Sequence, residues 1–260
     1  MAMNGDVTRA MILAAGEGTR LYPLTLETSK VLLPIGGIPL IQHTLLWLKR
    51  HGISEVAINL HHCGDKIRAF LGDGSGFGVT VHYSPEQQLQ GTAGGIKRIA
   101  RFFDGTFLVV YGDVLTDFNL STMVEFHMQR EAVATLAISE APDPRGVGVV
   151  ELDPEGRVLS FVEKSSSSTS TAHPVLASGG IYVLKREVLD YVPDQGYSDF
   201  GSDILPELVR LGLPVYGFRL KAGEYLIDIG TVDKYQRANS DVLNGRVKTR
   251  GWGDPSLVIR

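Results

Sequence analysis

Residues 11–34 read MILAAGEGTRLYPLTLETSKVLLP, and the rest of the chain is organised around them. Met11 to Ala15 is short, apolar and bounded by glycine, the pattern of a strand buried on both faces in a parallel sheet. Gly16-Glu17-Gly18-Thr19-Arg20 follows at once. Two glycines let the backbone turn sharply and bring its N–H groups against a ligand with no Cβ in the way. A row of such N–H groups at a strand end makes an anion cradle. Arg20 adds a planar, permanently charged fork that matches phosphate oxygens, and Lys30 adds a point-like cation. Together these residues predict a polyphosphate site.

Two familiar phosphate loops are excluded. A Walker-type loop needs Gly-Lys-Ser/Thr at the start of a helix, and that triplet does not occur. A dinucleotide fingerprint needs a third glycine, a helix opening in the loop and an acid ending the second strand. Here the loop runs into Leu21-Tyr22-Pro23-Leu24-Thr25, where Pro23 and the lack of helical spacing predict extended chain. The second strand, Glu55 to Leu60, ends instead in Asn59 and His61.

Outward from this stretch, strand and helix patterns alternate. Helices are predicted over Pro39–Gly52, through Ile67, Phe70 and Leu71, over Thr92–Phe103 and over Leu120–Arg130. Strands are predicted over Glu55–Leu60, Val79–Tyr83 and Thr106–Tyr111. This rhythm is that of a Rossmann-like α/β fold, a mostly parallel sheet covered by helices on both faces. Beyond Arg130 strands predominate: Val133–Ile138, Gly148–Leu152, Arg157–Val162 and Gly179–Leu184. They predict an added antiparallel lobe on the same domain. Ser202–Leu211 and Val232–Asn244 read as helices, with strands at Pro214–Leu220 and Glu224–Ile229 between them. Residues 165–171 form a Ser/Thr run that reads as a surface loop. One domain over residues 1–260 is expected, its core about 8–243, with one half near 8–117 and the other near 118–243.

Composition narrows the setting. The chain has 260 residues, 43% hydrophobic and 21% charged, with a formal charge of −4, which gives no reason to expect a nucleic acid or membrane partner. Its single cysteine, Cys63, excludes an internal disulfide and fits a reducing cytoplasm. Neither a signal peptide nor a membrane-length apolar run is present in the sequence.

Two acids stand out. Asp113 follows the apolar run Phe107–Gly112, at the sheet edge where ligands of open α/β sheets collect. A carboxylate facing a triphosphate implies an intervening cation, Mg²⁺. Asp228 lies in the otherwise apolar stretch Tyr225–Gly230, where a carboxylate calls for a metal or a cationic partner. Spacing does not bring the two together. Glu86, just past the strand Val79–Tyr83, is an acceptor-only carboxylate. His61-His62 cannot form a metal pair on a strand, because neighbours point to opposite faces.

The motif GxGTRLxPLT, then Ser29-Lys30, then Leu33-Pro34-Ile35-Gly36-Gly37 resembles the N-terminal signature of the sugar-1-phosphate nucleotidyltransferases. The resemblance runs from about Thr8 to Leu243 and is closest to members acting as mannose-1-phosphate guanylyltransferases. It implies a nucleotide site at Ala14, Ala15, Gly16, Gly18, Thr19, Arg20, Lys30, Glu86, Gly91 and Thr92, with Arg20, Lys30 and Asp113 catalytic. It implies that Asp113 and Asp228 bind Mg²⁺ together. Gly148, Glu163, Lys164, Ser178 and Gly180 would hold the sugar phosphate. Val147, Ser165 and Ser178 depart from the family pattern, all on the sugar side, and Gln90 departs on the nucleotide side. The reaction implied is GTP plus mannose-1-phosphate giving GDP-mannose. Rival pairs are dTTP or UTP with glucose-1-phosphate and GTP with a heptose-1-phosphate; a silent nucleotide-sugar-binding regulator is a third reading. Homo-oligomerisation is compatible with the family, and the hexapeptide-repeat domain of longer relatives is not seen.

Overall fold

The computed structural model describes residues 7–163 and 174–248. In chain order the strands are β1 (Arg9–Leu13), β2 (Pro34–Ile35), β3 (Ile38–Pro39), β4 (Glu55–Leu60), β5 (Thr80–Pro85), β6 (Thr106–Tyr111), β7 (Val114–Thr116), β8 (Ala134–Ala141), β9 (Val149–Leu152), β10 (Val158–Val162), β11 (Val175–Lys185), β12 (Val215–Arg219) and β13 (Leu226–Asp228). The α-helices are α1 (Leu40–Arg50), α2 (Gly64–Leu71), α3 (Gly91–Lys97), α4 (Leu120–Gln129), α5 (Leu205–Arg210) and α6 (Val232–Leu243). The chain is a mostly parallel sheet with helices and added antiparallel strands, as the alternating pattern predicts. It divides into two compact units, one formed by residues up to 89, 110–119 and 223 onward, the other by 90–109 and 120–222.

In the first unit β1 pairs in parallel with β4, Leu13 opposite Asn59, and β4 pairs in parallel with β5, Leu60 opposite Pro85. The loop after β1, the residues after β4 and Glu86 after β5 therefore emerge at one edge. The Gly112 N–H, just past β6, donates to Leu13 O at 2.9 Å. A Cβ at Gly112 would sit 2.6 Å from that same oxygen, so only glycine permits this approach. It delivers Asp113 to the edge.

Strand β13 returns late in the chain to pair antiparallel with β7, setting Asp228 opposite Val114. Side chains reinforce this short ribbon. Thr116 Oγ1 donates to Tyr225 O at 2.6 Å, and Tyr225 N–H donates to Asp117 Oδ1 at 2.7 Å. Lys248 N–H donates to Asp117 Oδ2 at 2.8 Å, so Asp117 caps the ribbon, as a loop acid should. Beneath it Leu21, Leu33, Ile35, Leu40, Leu115, Ile229 and Ala238 form a buried cluster. Helix α6 begins with Thr231, whose Oγ1 accepts from Lys234 N–H, a conventional N-cap.

In the second unit β11 pairs antiparallel with β8, and β12 pairs in parallel with β8. The β8–β11 register shifts between Ser178 and Tyr182, where Gly180 has a φ of 70°. Strands β9 and β10 form an antiparallel pair. Among the described residues no helix is long and apolar enough to cross a membrane.

Three local expectations change. The segment after Gly18 is not extended: Thr19–Leu21 is a turn of 3₁₀ helix. Thr25 Oγ1 donates to Gly18 O at 2.8 Å, folding the segment back on the loop. The helix predicted over Thr92–Phe103 ends at Lys97 and resumes as a 3₁₀ turn at Ala100–Phe102. Gly94 and Gly95 weaken it, and Phe103 stacks on Phe107 with ring centroids 4.0 Å apart. The helix predicted from Ser202 opens instead as a π turn over Phe200–Ile204, capped by Asp199, before α5. Pro206 contributes no N–H to the ladder there.

Asp241 on α6 anchors this helix to β13. It is 2% exposed and accepts hydrogen bonds from Tyr225 Oη and Arg246 Nη1, both at 2.9 Å. Burial, and then the bond to Asp241, push the Tyr225 phenol up from its ordinary range, which keeps it a donor. Asp241→Ala strands that hydroxyl. It is expected to lower the unfolding free energy by about 2 kcal/mol, measurable as a reduced urea midpoint.

Candidate active site

The predicted residues fall into one cluster in each unit. In the first unit a cleft of about 180 Å³ is lined by Gly18, Thr19, Arg20, Leu21, Lys30, Asp113 and Gly230. Its floor is the loop after β1. Ala14 and Ala15 are buried, and the Ala14 N–H donates to Asn59 Oδ1 at 2.7 Å. A side chain at Gly16 would meet Lys30 Nζ at 3.6 Å, so the lysine runs under the glycine loop.

Lys30 Nζ lies 2.6 Å from Asp113 Oδ2. Burial alone would raise the Asp113 carboxyl, yet the Lys30 ammonium, its hydrogen bond and the Arg20 charge together hold it below the ordinary carboxylate range. The acid is thus an anion with a cation already beside it. Among the described residues no carboxylate pairs directly with the Arg20 guanidinium. A Cβ at Gly230 would stand 3.0 Å from Arg20 Nη2 and 2.9 Å from Asp228 Oδ1, so the bare glycine backbone lies against both groups.

The second acid is delivered by the β7–β13 ribbon. Asp228 lies opposite Val114, and the Ile229 N–H donates to Asp113 O at 2.8 Å. The two aspartates named from the sequence therefore occupy adjoining positions on paired strands. Asp228 also has its own cation, an ion pair with Lys234 on α6. Two carboxylates form a hard, oxygen-only donor set of the kind that suits Mg²⁺, and Asp113 and Asp228 are the residues that would hold it. Among the described residues no group of three or more His, Cys, Asp or Glu side chains is gathered as a metal site.

The second cluster surrounds Glu163. A Cβ at Gly148 would meet Glu163 Oε2 at 3.0 Å, and one at Gly201 would meet it at 2.2 Å. The carboxylate therefore rests against two bare stretches of backbone. The Ser178 N–H donates to Gly148 O at 2.8 Å, which joins the predicted sugar residues on β11 and β9. Gly180 supplies the left-handed residue of the bulge in β11. Lys164 and the Ser/Thr run lie outside the described residues. In the same unit Gly91 and Thr92 are held by Ser198–Phe200. Ala93 and Gly94 N–H donate to Ser198 O at 3.0 and 3.1 Å, and Thr92 Oγ1 donates to Asp199 Oδ2 at 2.8 Å. The Thr92 hydroxyl proton is thus engaged within the protein.

His61 and His62 lie past the end of β4 rather than on a strand, and they meet the backbone oxygens of Glu86 and Thr25 at 2.9 and 2.8 Å. Sequence reading assigned no role to Lys234 or Gly230. Lys234 sits six residues after Asp228 with no pattern linking them, and only the turn from β13 into α6 brings them together.

The Lys30–Asp113 pair carries a pH signature. A depressed carboxyl pKa stabilises the fold above the unfolded value, roughly 3.9, and the contribution fades as pH falls through the lower folded value. Lys30→Met removes the compensating charge. It is expected to cost on the order of 3 kcal/mol near neutral pH. The deficit should shrink on acidification, as the orphaned Asp113 protonates at a raised pKa. Thermal melts of both proteins from about pH 7 to about pH 4 check this.

Residues 9–245 match the family described as nucleotidyl transferase. A UTP–glucose-1-phosphate uridylyltransferase from Synechocystis sp. is 36% identical over 254 residues, covering 92% of this chain and 64% of that protein. A mannose-1-phosphate guanylyltransferase from Mycobacterium tuberculosis is 33% identical over 238 residues, covering 91% of this chain and 65% of that protein. The chain thus spans just under two thirds of the length of these relatives. A solved structure of a putative glucose-1-phosphate thymidylyltransferase from Bacillus anthracis superposes with a TM-score of 0.78 at 26% identity, covering 89% of this chain and 94% of that one. With a glycine loop, two cations and two paired aspartates at one strand edge, the chain belongs to the nucleotidyl transferase family.

Proposed function

We propose that this protein transfers a nucleoside monophosphate from a nucleoside triphosphate to a sugar-1-phosphate, with GTP and mannose-1-phosphate as the pair. The observation that carries the reaction class is the cleft in which Arg20, Lys30 and Asp113 meet the loop Gly16–Arg20, with Asp228 on the adjoining strand. An oxygen of the sugar phosphate attacks the α-phosphorus in line. A new P–O bond forms, the bond to the β-phosphate oxygen breaks, and pyrophosphate leaves. The nucleophile is already an anion, so no general base is required. Catalysis is positioning and charge neutralisation.

Arg20 presents five donors to the triphosphate, and Lys30 neutralises a phosphate oxygen while Asp113 keeps its ammonium in register. Asp113 and Asp228 are the residues that would hold Mg²⁺, which offsets charge on the reacting phosphates when bound. Glu163, with Gly148, Ser178 and Gly180, is assigned to the sugar phosphate together with Lys164.

The base assignment rests on Glu86. It is buried at the end of β5, an acceptor-only group of the kind that complements guanine's paired donors. The guanylyltransferase relative is consistent with it. The uridylyltransferase relative, at 36% identity, favours UTP with glucose-1-phosphate as the second reading.

Pyrophosphate release measured with Mg²⁺ across the common nucleoside triphosphates and a panel of hexose- and heptose-1-phosphates is expected to peak with GTP and mannose-1-phosphate. An optimum with UTP or dTTP overturns the base assignment and retains the chemistry; no turnover with any pair overturns the chemistry. Arg20→Ala is expected to lower kcat/KM about 10²-fold or more, with the fold intact by circular dichroism.

A further inference from the structure

The end of β4 and the residue after it, Asn59 to His61, are not used in the proposed mechanism, yet they hold Glu86 at three points. Glu86 N–H donates to Leu60 O at 2.7 Å. His61 Nδ1, necessarily the donor to a carbonyl, reaches Glu86 O at 2.9 Å. Asn59 Nδ2 donates to Glu86 Oε1 at 2.8 Å. The other end of the Asn59 amide accepts the Ala14 N–H at 2.7 Å, at the mouth of the phosphate loop. Asn59 and Glu86 are 3% and 5% exposed, so these contacts form away from bulk water, where an unmatched polar atom is costly.

The orientation of the Asn59 amide follows from its neighbours. A backbone N–H requires an acceptor and a carboxylate oxygen requires a donor, so Oδ1 faces Ala14 and Nδ2 faces Glu86. Only asparagine offers both groups at this length. Aspartate keeps the acceptor and loses the donor, glutamine is a methylene too long, and alanine loses both.

We propose that Asn59 is the positioning residue for nucleotide selection: its amide fixes which edge residue 86 turns towards the base and locks that residue to the start of the phosphate loop. This rests on the reading of Glu86 as the base-contacting group. Occupying Oε1 with a donor sets the rotamer of the carboxylate. Residue 86 then meets the base as an acceptor in a fixed place relative to the Ala14 backbone. The same logic governs a glutamine at position 86. Asn59 would draw the glutamine oxygen towards itself and leave the NH₂ for the base, whereas an aspartate at 59 would draw the NH₂ and leave the oxygen.

The test compares kcat and KM for GTP and UTP in the full chain bearing Glu86→Gln, Asn59→Asp or both. Glu86→Gln should lower the GTP-to-UTP ratio of kcat/KM by at least about tenfold. Asn59→Asp opposes two carboxylates, which then share a proton. It should lower the same ratio about tenfold, mainly through the KM for GTP, and lower it further as pH rises and the shared proton is lost. The double variant restores a donor–acceptor pair, so it should melt above Asn59→Asp alone and regain part of the GTP preference. If Glu86→Gln leaves the ratio unchanged, the base assignment itself fails. If Glu86→Gln shifts it while Asn59→Asp slows both nucleotides equally at every pH, Asn59 is merely structural and the inference fails. Should Asn59→Asp not fold, the double variant decides: recovery of the fold with a GTP preference above that of Glu86→Gln upholds the pairing, and additive destabilisation overturns it.

Discussion

A buried carboxylate is an electrostatic liability, and the first unit is arranged around relieving the one at Asp113. Asp113 loses hydration by sitting at the end of β6 and would be driven to protonate there. Lys30 reverses that tendency at a separation of 2.6 Å, with Arg20 adding to the field. The arrangement constrains the fold as much as the chemistry. Lys30 passes within van der Waals contact of Gly16, and Asp113 reaches the edge only because Gly112 lets β6 close against Leu13 O, an approach that a single methyl group would block.

Asp228 repeats the pattern. It too carries a lysine, Lys234, drawn from the first turn of the following helix. Each acid thus has a resident cation. For Asp113 the loss of water is tolerable only with a partner at hand, which Lys30 supplies, whereas the Asp228 side chain keeps 40% of its surface in solvent.

How far the molecule can be read from its sequence depends on the range of the interactions. Periodicity locates β1, β4, β6, α1 and α6 because burial acts on consecutive residues. The phosphate loop is legible for the same reason: glycines, Arg20 and Lys30 lie within one short stretch. The ribbon of β7 and β13 is not. Its strands have three residues each and join positions more than a hundred apart, so nothing local marks their pairing, and the meeting of Asp113 with Asp228 comes from resemblance rather than from spacing. Lys234 is invisible for that reason too. The two-way bridge made by Asn59 appears only once Ala14 and Glu86 converge. The turn after Gly18 was misread as extended because proline and the missing helical period say nothing of Thr25 folding back onto Gly18.

The late return of β13 has a consequence for synthesis on the ribosome. The first unit begins at the amino end but lacks β13 and α6 until residues from 223 onward have been translated. Until then β7 presents an unpaired edge, the apolar cluster lacks Ile229 and Ala238, and Asp117 has no Tyr225 to cap. Residues 120–222 have meanwhile been made in full and can close a large loop before the edge is sealed. Nascent chains therefore present β7 as an open edge, the kind of site at which strands mispair, and the cleft receives Gly230, with Asp228 two residues before it, only after those residues are translated.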